Sequence, residues 1–166
     1  GELNYSSVTD DQIANTANIT MSSGALTMGS RTETINSMAL SGGNLTIGSG
    51  TLSLAAASSF TGGNVSMTSV SSRINTTGTS TLGNTTFSYN NASDATSGII
   101  LAGDFLVNAS STTNFTNAAA GVGQINLGSA NRVFDVGTGA IMNVGWFISS
   151  TNASGALTKN GTGTLT

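Results

Sequence analysis

The sequence predicts an all-β chain folded as a single parallel β-helix, a solenoid with about 20 residues per coil and about eight coils over residues 1–166. Two observations indicate this fold. A polar, glycine-containing segment recurs at a nearly constant interval, and each recurrence continues into alternating apolar and polar residues. A third observation supports an all-β fold, because Ser, Thr, Asn and Gly dominate the composition and are mediocre or poor helix formers.

The repeat is anchored on a glycine that begins each alternating segment. The interval is nearly constant, and the glycines are Gly24, Gly43, Gly63, Gly83, Gly103 and Gly123. Two and four positions after the glycine stand mostly large apolar side chains, as in Leu45 and Ile47, with a polar residue between them. This period of two is that of a strand with one buried face.

The residue after each repeat glycine is polar in five of the six copies. These residues are predicted to stack as a hydrogen-bonded ladder along the solenoid axis, and they are Asn44, Asn64, Asn84, Asp104 and Gln124. The glycine itself is expected at a corner that needs positive φ or close backbone approach. The alternative is an antiparallel fold in which Gly-Asn marks ordinary hairpin turns, but hairpins do not explain side chains that recur at a constant spacing.

Charge and titratable groups are scarce, which limits the possible functions. The chain has four Lys and Arg, seven Asp and Glu, and no His or Cys. The shortage of cations argues against nucleic-acid binding. Without His or Cys, Ser-His-Asp and Cys-His catalysis and ordinary zinc sites are excluded. We therefore expect no enzyme activity, no metal site and no cofactor.

Carboxylates leave one enzymatic alternative open. Some β-helix enzymes cleave acidic polysaccharides with carboxylates and a basic residue on neighbouring coils, and the candidates here are Asp94, Asp104, Asp135, Arg73 and Arg132. We treat polysaccharide cleavage as the weaker interpretation. The adjacent Asp10 and Asp11 are interpreted as a solvated turn rather than a metal site.

Two features are candidates for binding. The polar residues between the inward pairs form an outward row, Thr27, Thr46, Ser66 and Thr86, which is the predicted binding surface. Trp146 is either an exposed docking residue or a plug in the core of a wider coil. It lies within the region of residues 137–150, where the register falters and an irregular coil is expected.

The last residues carry a resemblance. Gly155 to Thr166 read "GALTKNGTGTLT", in which Gly155, Leu157, Lys159, Gly161, Gly163 and Leu165 fit a G-x-L-x-K-x-G-x-G-x-L pattern. This segment resembles the start of the passenger-associated repeat of bacterial autotransporters. The resemblance implies a right-handed parallel β-helix, carried to the cell surface by a C-terminal membrane barrel that is absent here, and a chain that is a fragment of a longer passenger. That family includes adhesins, self-associating factors, proteases and esterases.

The function expected is a secreted or surface-displayed, non-enzymatic adhesin or self-association module on the bacterial outer surface. Its partners would be a host or neighbouring cell surface, matrix, glycan, or copies of itself. Membrane contact is expected only through the missing barrel. An alternative is the subunit of an extracellular filament, because unpaired terminal strands invite end-to-end stacking.

Overall fold

The computed structural model describes residues 1–4, 9–93, 98–151 and 155–166. Within these ranges the secondary structure consists of β-strands. The strands are β1 (Glu2–Asn4), β2 (Asn18–Met21), β3 (Ala25–Thr27), β4 (Glu33–Ile35), β5 (Ser37–Ile47), β6 (Thr51–Leu54), β7 (Ser58–Met67), β8 (Arg73–Thr76), β9 (Ser80–Tyr89), β10 (Ile99–Leu101), β11 (Phe105–Val107), β12 (Thr112–Asn117), β13 (Gln124–Asn126), β14 (Arg132–Val136), β15 (Ile141–Val144), β16 (Phe147–Ser149), β17 (Leu157–Asn160) and β18 (Thr164–Leu165).

The strands form two parallel sheets that wind around a common core. The larger sheet has 12 strands, with the order β1-β3-β5-β7-β9-β11-β14-β17 along its main path. The smaller sheet has six strands in the order β16-β13-β10-β8-β6-β4. The predicted parallel β-solenoid is therefore confirmed, and the antiparallel alternative is wrong. The solenoid has about 7 turns of about 23 residues, so the coils are fewer and longer than predicted.

The first complete coils keep the predicted spacing. Leu26 pairs with Leu45 and Leu45 with Val65, as the repeat requires, and the side chains stack in the core. Thr27 and Thr46, which follow Leu26 and Leu45 in their strands, point outward and are half-buried. Alternation thus assigns the inner and outer faces correctly in this part of the chain.

The spacing then increases, because one turn is longer than its counterpart. Val65 pairs with Phe87 rather than with Thr85. The turn from β7 to β8 covers residues 68–72, whereas the turn from β5 to β6 covers only residues 48–50. Ser72 holds the longer turn in place, since its hydroxyl donates to the carbonyl oxygens of Ile47 and Gly48 in the coil beside it. Two extra residues accommodated in a turn shift every later column of a strictly periodic alignment.

The later coils contain more residues still, and aromatic rings pack against one another in their core. Phe87 pairs with Phe115 of the next coil, a longer step along the chain than the one from Val65 to Phe87. The two rings stack with centroids 4.8 Å apart, and Trp146 packs edge-on against Phe115 at 5.3 Å. Stacked rings fill this part of the core, as the close packing of protein interiors requires.

The repeat glycines fall into two groups. Gly24, Gly43 and Gly63 have φ of 82°, 86° and 81°, as expected for corners. The three later glycines of the repeat do not share this conformation. Gly123 instead provides room for the indole of Trp146, whose Cδ2 would lie 2.6 Å from an added Cβ.

Candidate functional surface

The larger sheet presents two outward rows of uncharged polar side chains, which together we call the polar face. The first row follows the strands as Asn44, Asn64, Thr86, Asn114 and Asn143. The second row runs beside it as Thr27, Thr46, Ser66, Ser88 and Thr116. Neighbouring members of a row belong to adjacent strands and are therefore about 4.8 Å apart.

The predicted binding row is correct in register for three of its four residues. Thr27 pairs with Thr46, and Thr46 pairs with Ser66. Thr86 belongs to the other row, because it pairs with Asn64, and Ser88 takes its predicted place. The displacement follows from the two extra residues in turn 68–72.

One hydrogen bond of the predicted ladder is present, and another is formed further along the row by residues outside the prediction. Asn64 Nδ2 donates to Asn44 Oδ1 at 3.0 Å. Further along the same row, Asn143 Nδ2 donates to Asn114 Oδ1 at 2.8 Å. The strictly periodic alignment missed Asn114 and Asn143, but the Asn-Phe-Thr motif at 114–116 repeats the Asn-Leu-Thr motif at 44–46 and would have revealed one of them.

The other three predicted ladder residues lie elsewhere, and this part of the prediction is wrong. Asn84 pairs with Gly62, and its Oδ1 accepts from the Thr112 backbone. Asp104 Oδ1 accepts from the Val133 backbone at 2.9 Å. Gln124 is buried in the smaller sheet, where it pairs with Phe147.

Hydrogen bonds hold the middle of the polar face in a defined arrangement. The amide of Asn90 donates to Ser66 Oγ at 2.7 Å and to Ser88 Oγ at 3.4 Å. Both serines are half-buried, whereas Asn44 and Asn64 are exposed. The face is therefore a regular array of hydroxyl and amide groups on one parallel sheet.

Trp146 does not lie on a binding surface, so its assignment to one is wrong. Only 4% of the side chain is exposed, and its Nε1 donates to the Thr116 carbonyl at 2.9 Å. The alternative role of a core plug is the one the structure has. The neighbouring Phe147 is 41% exposed and faces solvent instead.

Two of the candidate carboxylates line one shallow cleft on the larger sheet. Asp104 and Asp135 border a cavity of about 270 Å³ together with Leu106 and Val133. Arg132 does not face them as a free cation, because its guanidinium donates to the carbonyl oxygens of Leu127 and Leu101. Arg73 lies on β8 of the other sheet, and Asp94 is outside the described residues.

Metal-binding clusters and membrane-spanning helices are both absent from the described ranges. No group of three or more Asp, Glu, His or Cys side chains in them is arranged to hold a metal ion. They also contain no helical segment with the length and apolar character of a membrane span.

Comparisons with protein-family models, curated proteins and solved structures give no match to this chain. The parallel solenoid is compatible with a β-helix repeat of the kind that the C-terminal resemblance implies.

Proposed function

We propose that this chain is an extracellular, surface-displayed β-solenoid that acts in adhesion or self-association through its polar face. The observation that carries the proposal is the register of two uncharged polar rows across successive strands of one sheet. Repetition makes equivalent groups available at a constant interval along the rod.

The chemistry of the face suits a partner rich in hydrogen-bonding groups and poor in charge. A hydroxyl both donates and accepts, and an amide offers two donors and an acceptor. A glycan, or a second face of the same kind, presents complementary groups. Each bond contributes little against water, on the order of 1 kcal/mol. Many such contacts on a rigid array add up because the later ones form at high effective concentration.

Membership of the autotransporter passenger class is part of the same proposal. The tail that carries the resemblance forms β17 and β18, which pair with β14 and β15 in the parallel sheet. Leu157 and Leu165, two leucines of the motif, pack against the core. The motif therefore continues the solenoid, which supports the resemblance to a β-helix repeat. The proposed secreted location on the bacterial outer surface follows from that resemblance alone.

The experiment compares charge placed on the two sheets. Thr46→Arg with Ser66→Arg puts two cations in the middle of the polar face. Thr34→Arg with Ser53→Arg places the same residues at outward, half-buried positions of the smaller sheet and is the matched control. Binding is measured to bacterial cells, to matrix- and glycan-coated surfaces, and to the immobilised chain itself.

We expect the polar-face variant to lose binding by about tenfold or more, since guanidinium groups disrupt the hydroxyl array and add bulk. The control should bind like the wild type. Equal loss in both variants, or no loss in either, would show that the polar face is not the adhesive surface. Circular dichroism of both variants tests whether they retain the β-fold, so that a loss of binding is not a loss of structure.

Polysaccharide cleavage remains a second candidate because Asp104 and Asp135 share a cleft. Incubation with pectin, alginate or hyaluronan, followed by a reducing-end assay, tests it. Release of ends by the wild type but not by Asp135→Asn would support cleavage. If no new reducing ends are released from any of these polymers, polysaccharide cleavage is no longer a candidate function.

A further inference from the structure

Amide side chains predominate in the first row of the polar face. Four of its five members are asparagines, and Thr86 stands in the middle of the row. On one side of Thr86, Asn64 Nδ2 donates to Asn44 Oδ1 at 3.0 Å. On the other side, Asn143 Nδ2 donates to Asn114 Oδ1 at 2.8 Å. In both bonds the later coil donates to the earlier one, so the amides are stacked in one direction along the solenoid axis.

Each stacked amide keeps hydrogen-bonding capacity for a partner outside the protein. A primary amide has two N–H donors and two lone pairs on its oxygen, and a bond to one neighbour uses only one of these groups on each amide. Asn44 and Asn64 are also exposed to solvent. The row therefore presents amide donors and acceptors at intervals of about 4.8 Å, which is the separation of adjacent strands.

The interval between the amides is one that amide hydrogen bonding itself produces. Amide groups stacked through N–H···O=C bonds repeat at about 4.7–4.8 Å. The same bond, between acetamide groups, links the stacked chains of crystalline polymers of N-acetylated amino sugars, so these chains repeat at nearly the strand spacing. A surface of such a polymer can therefore stay in register with the amide row over several coils. A polysaccharide without amides lacks the group whose bonding sets this repeat.

The lack of charge on the polar face favours a neutral polymer. Neither row contains Asp, Glu, Lys or Arg. An anionic polysaccharide would meet no cation in either row, and the net charge of −3 disfavours it further. An N-acetylated amino sugar is neutral, and its acetamide and hydroxyl groups donate and accept hydrogen bonds as the side chains of the two rows do.

We propose that the amide row of the polar face recognises the acetamide groups of a stacked polymer of N-acetylated amino sugars. The polymer chains lie along the strands, one chain to a coil, and their stacking direction follows the solenoid axis. The hydroxyls of the second row, such as those of Thr46 and Ser66, face the sugar hydroxyls. This inference rests on the proposed function, because it names the class of glycan that the polar face binds.

Crystalline chitin and crystalline cellulose separate the acetamide from the rest of the sugar. The two polymers share one backbone linkage, and cellulose carries a hydroxyl where chitin carries the acetamide. Co-sedimentation of the chain with each polymer, over a range of protein concentrations, measures an apparent Kd. The wild type should bind chitin at least about tenfold more tightly, since each added hydrogen bond contributes about fivefold and several form together. Short soluble oligomers of N-acetylglucosamine should compete weakly, because they present no stacked array.

Two pairs of substitutions test the amide row in the protein. Asn44→Ser with Asn64→Ser removes two exposed amides and keeps small polar side chains. Asn18→Ser with Asn36→Ser is the matched control, because Asn36 Nδ2 donates to Asn18 Oδ1 at 2.7 Å between adjacent coils outside the polar face. The first variant should lose about tenfold or more in chitin binding and keep its cellulose binding, whereas the control should bind both polymers like the wild type. Urea midpoints show whether each variant is folded.

Three results would overturn the inference. One is equal binding of the wild type to chitin and to cellulose, a comparison that also covers the case in which the serine variant fails to fold. Another is unchanged chitin binding by a folded Asn44→Ser, Asn64→Ser variant. The third is strong competition by the short oligomers. The proposed function is tested separately by the arginine variants: if adhesion to cells or matrix depends on the polar face while chitin is not preferred, only the identity of the glycan is wrong.

Discussion

Replacing Leu45 by aspartate, and separately replacing its neighbour Thr46 by aspartate, tests the assignment of inner and outer faces. The two positions are adjacent in β5 and receive the same new side chain. Leu45 is fully buried between Leu26 and Val65 in the core, whereas Thr46 is half-buried between Thr27 and Ser66 on the polar face. Only the direction of the side chain differs between them.

The expected magnitudes differ by several kcal/mol. Truncating a buried leucine to alanine costs about 2–5 kcal/mol. Burying a carboxylate without a partner adds further cost of at least about 2 kcal/mol. A domain of this size has a total stability of about 5–15 kcal/mol, so Leu45→Asp should unfold the chain or bring it close to unfolding. Thr46→Asp should change the stability by about 0.5 kcal/mol, as is usual for a surface substitution.

Urea unfolding followed by far-ultraviolet circular dichroism measures both effects, with Leu45→Ala as an intermediate case. The midpoint should fall slightly for Thr46→Asp, clearly for Leu45→Ala, and furthest for Leu45→Asp. Equal midpoints for the two aspartate variants would refute the inward and outward assignment and, with it, the polar face.

Three further substitutions test individual features of the solenoid. Asn64→Asp removes the amide donor to Asn44 and places a carboxylate beside the Asn44 oxygen, which should lower the stability by about 1 kcal/mol. Asn84→Asp keeps the acceptor for the Thr112 backbone and should be nearly neutral. Equal urea midpoints for the two variants would contradict the observed ladder. Gly43→Ala should destabilise the chain by more than about 2 kcal/mol, because the new Cβ lies 2.6 Å from the Gly24 carbonyl oxygen. Gly29 also has a positive φ but faces open space, so Gly29→Ala should destabilise the chain by only about 1 kcal/mol. Thermal unfolding of the two variants should show this order. Trp146, the one tryptophan, should show blue-shifted fluorescence and weak acrylamide quenching that become those of free indole on unfolding, and efficient quenching of the folded chain would mean that the ring is exposed.

Much of the fold could be predicted from local alternation, which depends only on neighbouring residues. The pairing of Leu26, Leu45 and Val65, and the corners at Gly24, Gly43 and Gly63, follow from a period that holds while the turns keep one length. The prediction failed after Val65 because turn 68–72 accommodates two extra residues. Turns tolerate insertions at low energetic cost, so the length of a turn is free to change from one coil to the next. The alternation within the strands does not reveal such a change.

The site residues were misplaced for the same reason. Thr86 and Asn84 keep the constant spacing in the sequence, but the positions that stack on Ser66 and Asn64 are Ser88 and Thr86. Trp146 could not be placed by periodicity, because its burial depends on packing against Phe115 of the neighbouring coil and on the room left by Gly123. The carboxylates at Asp10 and Asp11 were interpreted as solvated because their partners are backbone amides of the β4 segment, a full coil away in the sequence.

The central claim is that successive coils lie in parallel register, with neighbours defined by the turns rather than by a constant period. Backbone NOEs measured by NMR on the isotope-labelled chain test it most directly. The structure predicts inter-strand contacts between Thr46 and Ser66 and between Ser66 and Ser88. Close Hα–Hα contacts of antiparallel pairing between these strands, or contacts of Ser66 with Thr86 in place of Ser88, would contradict it.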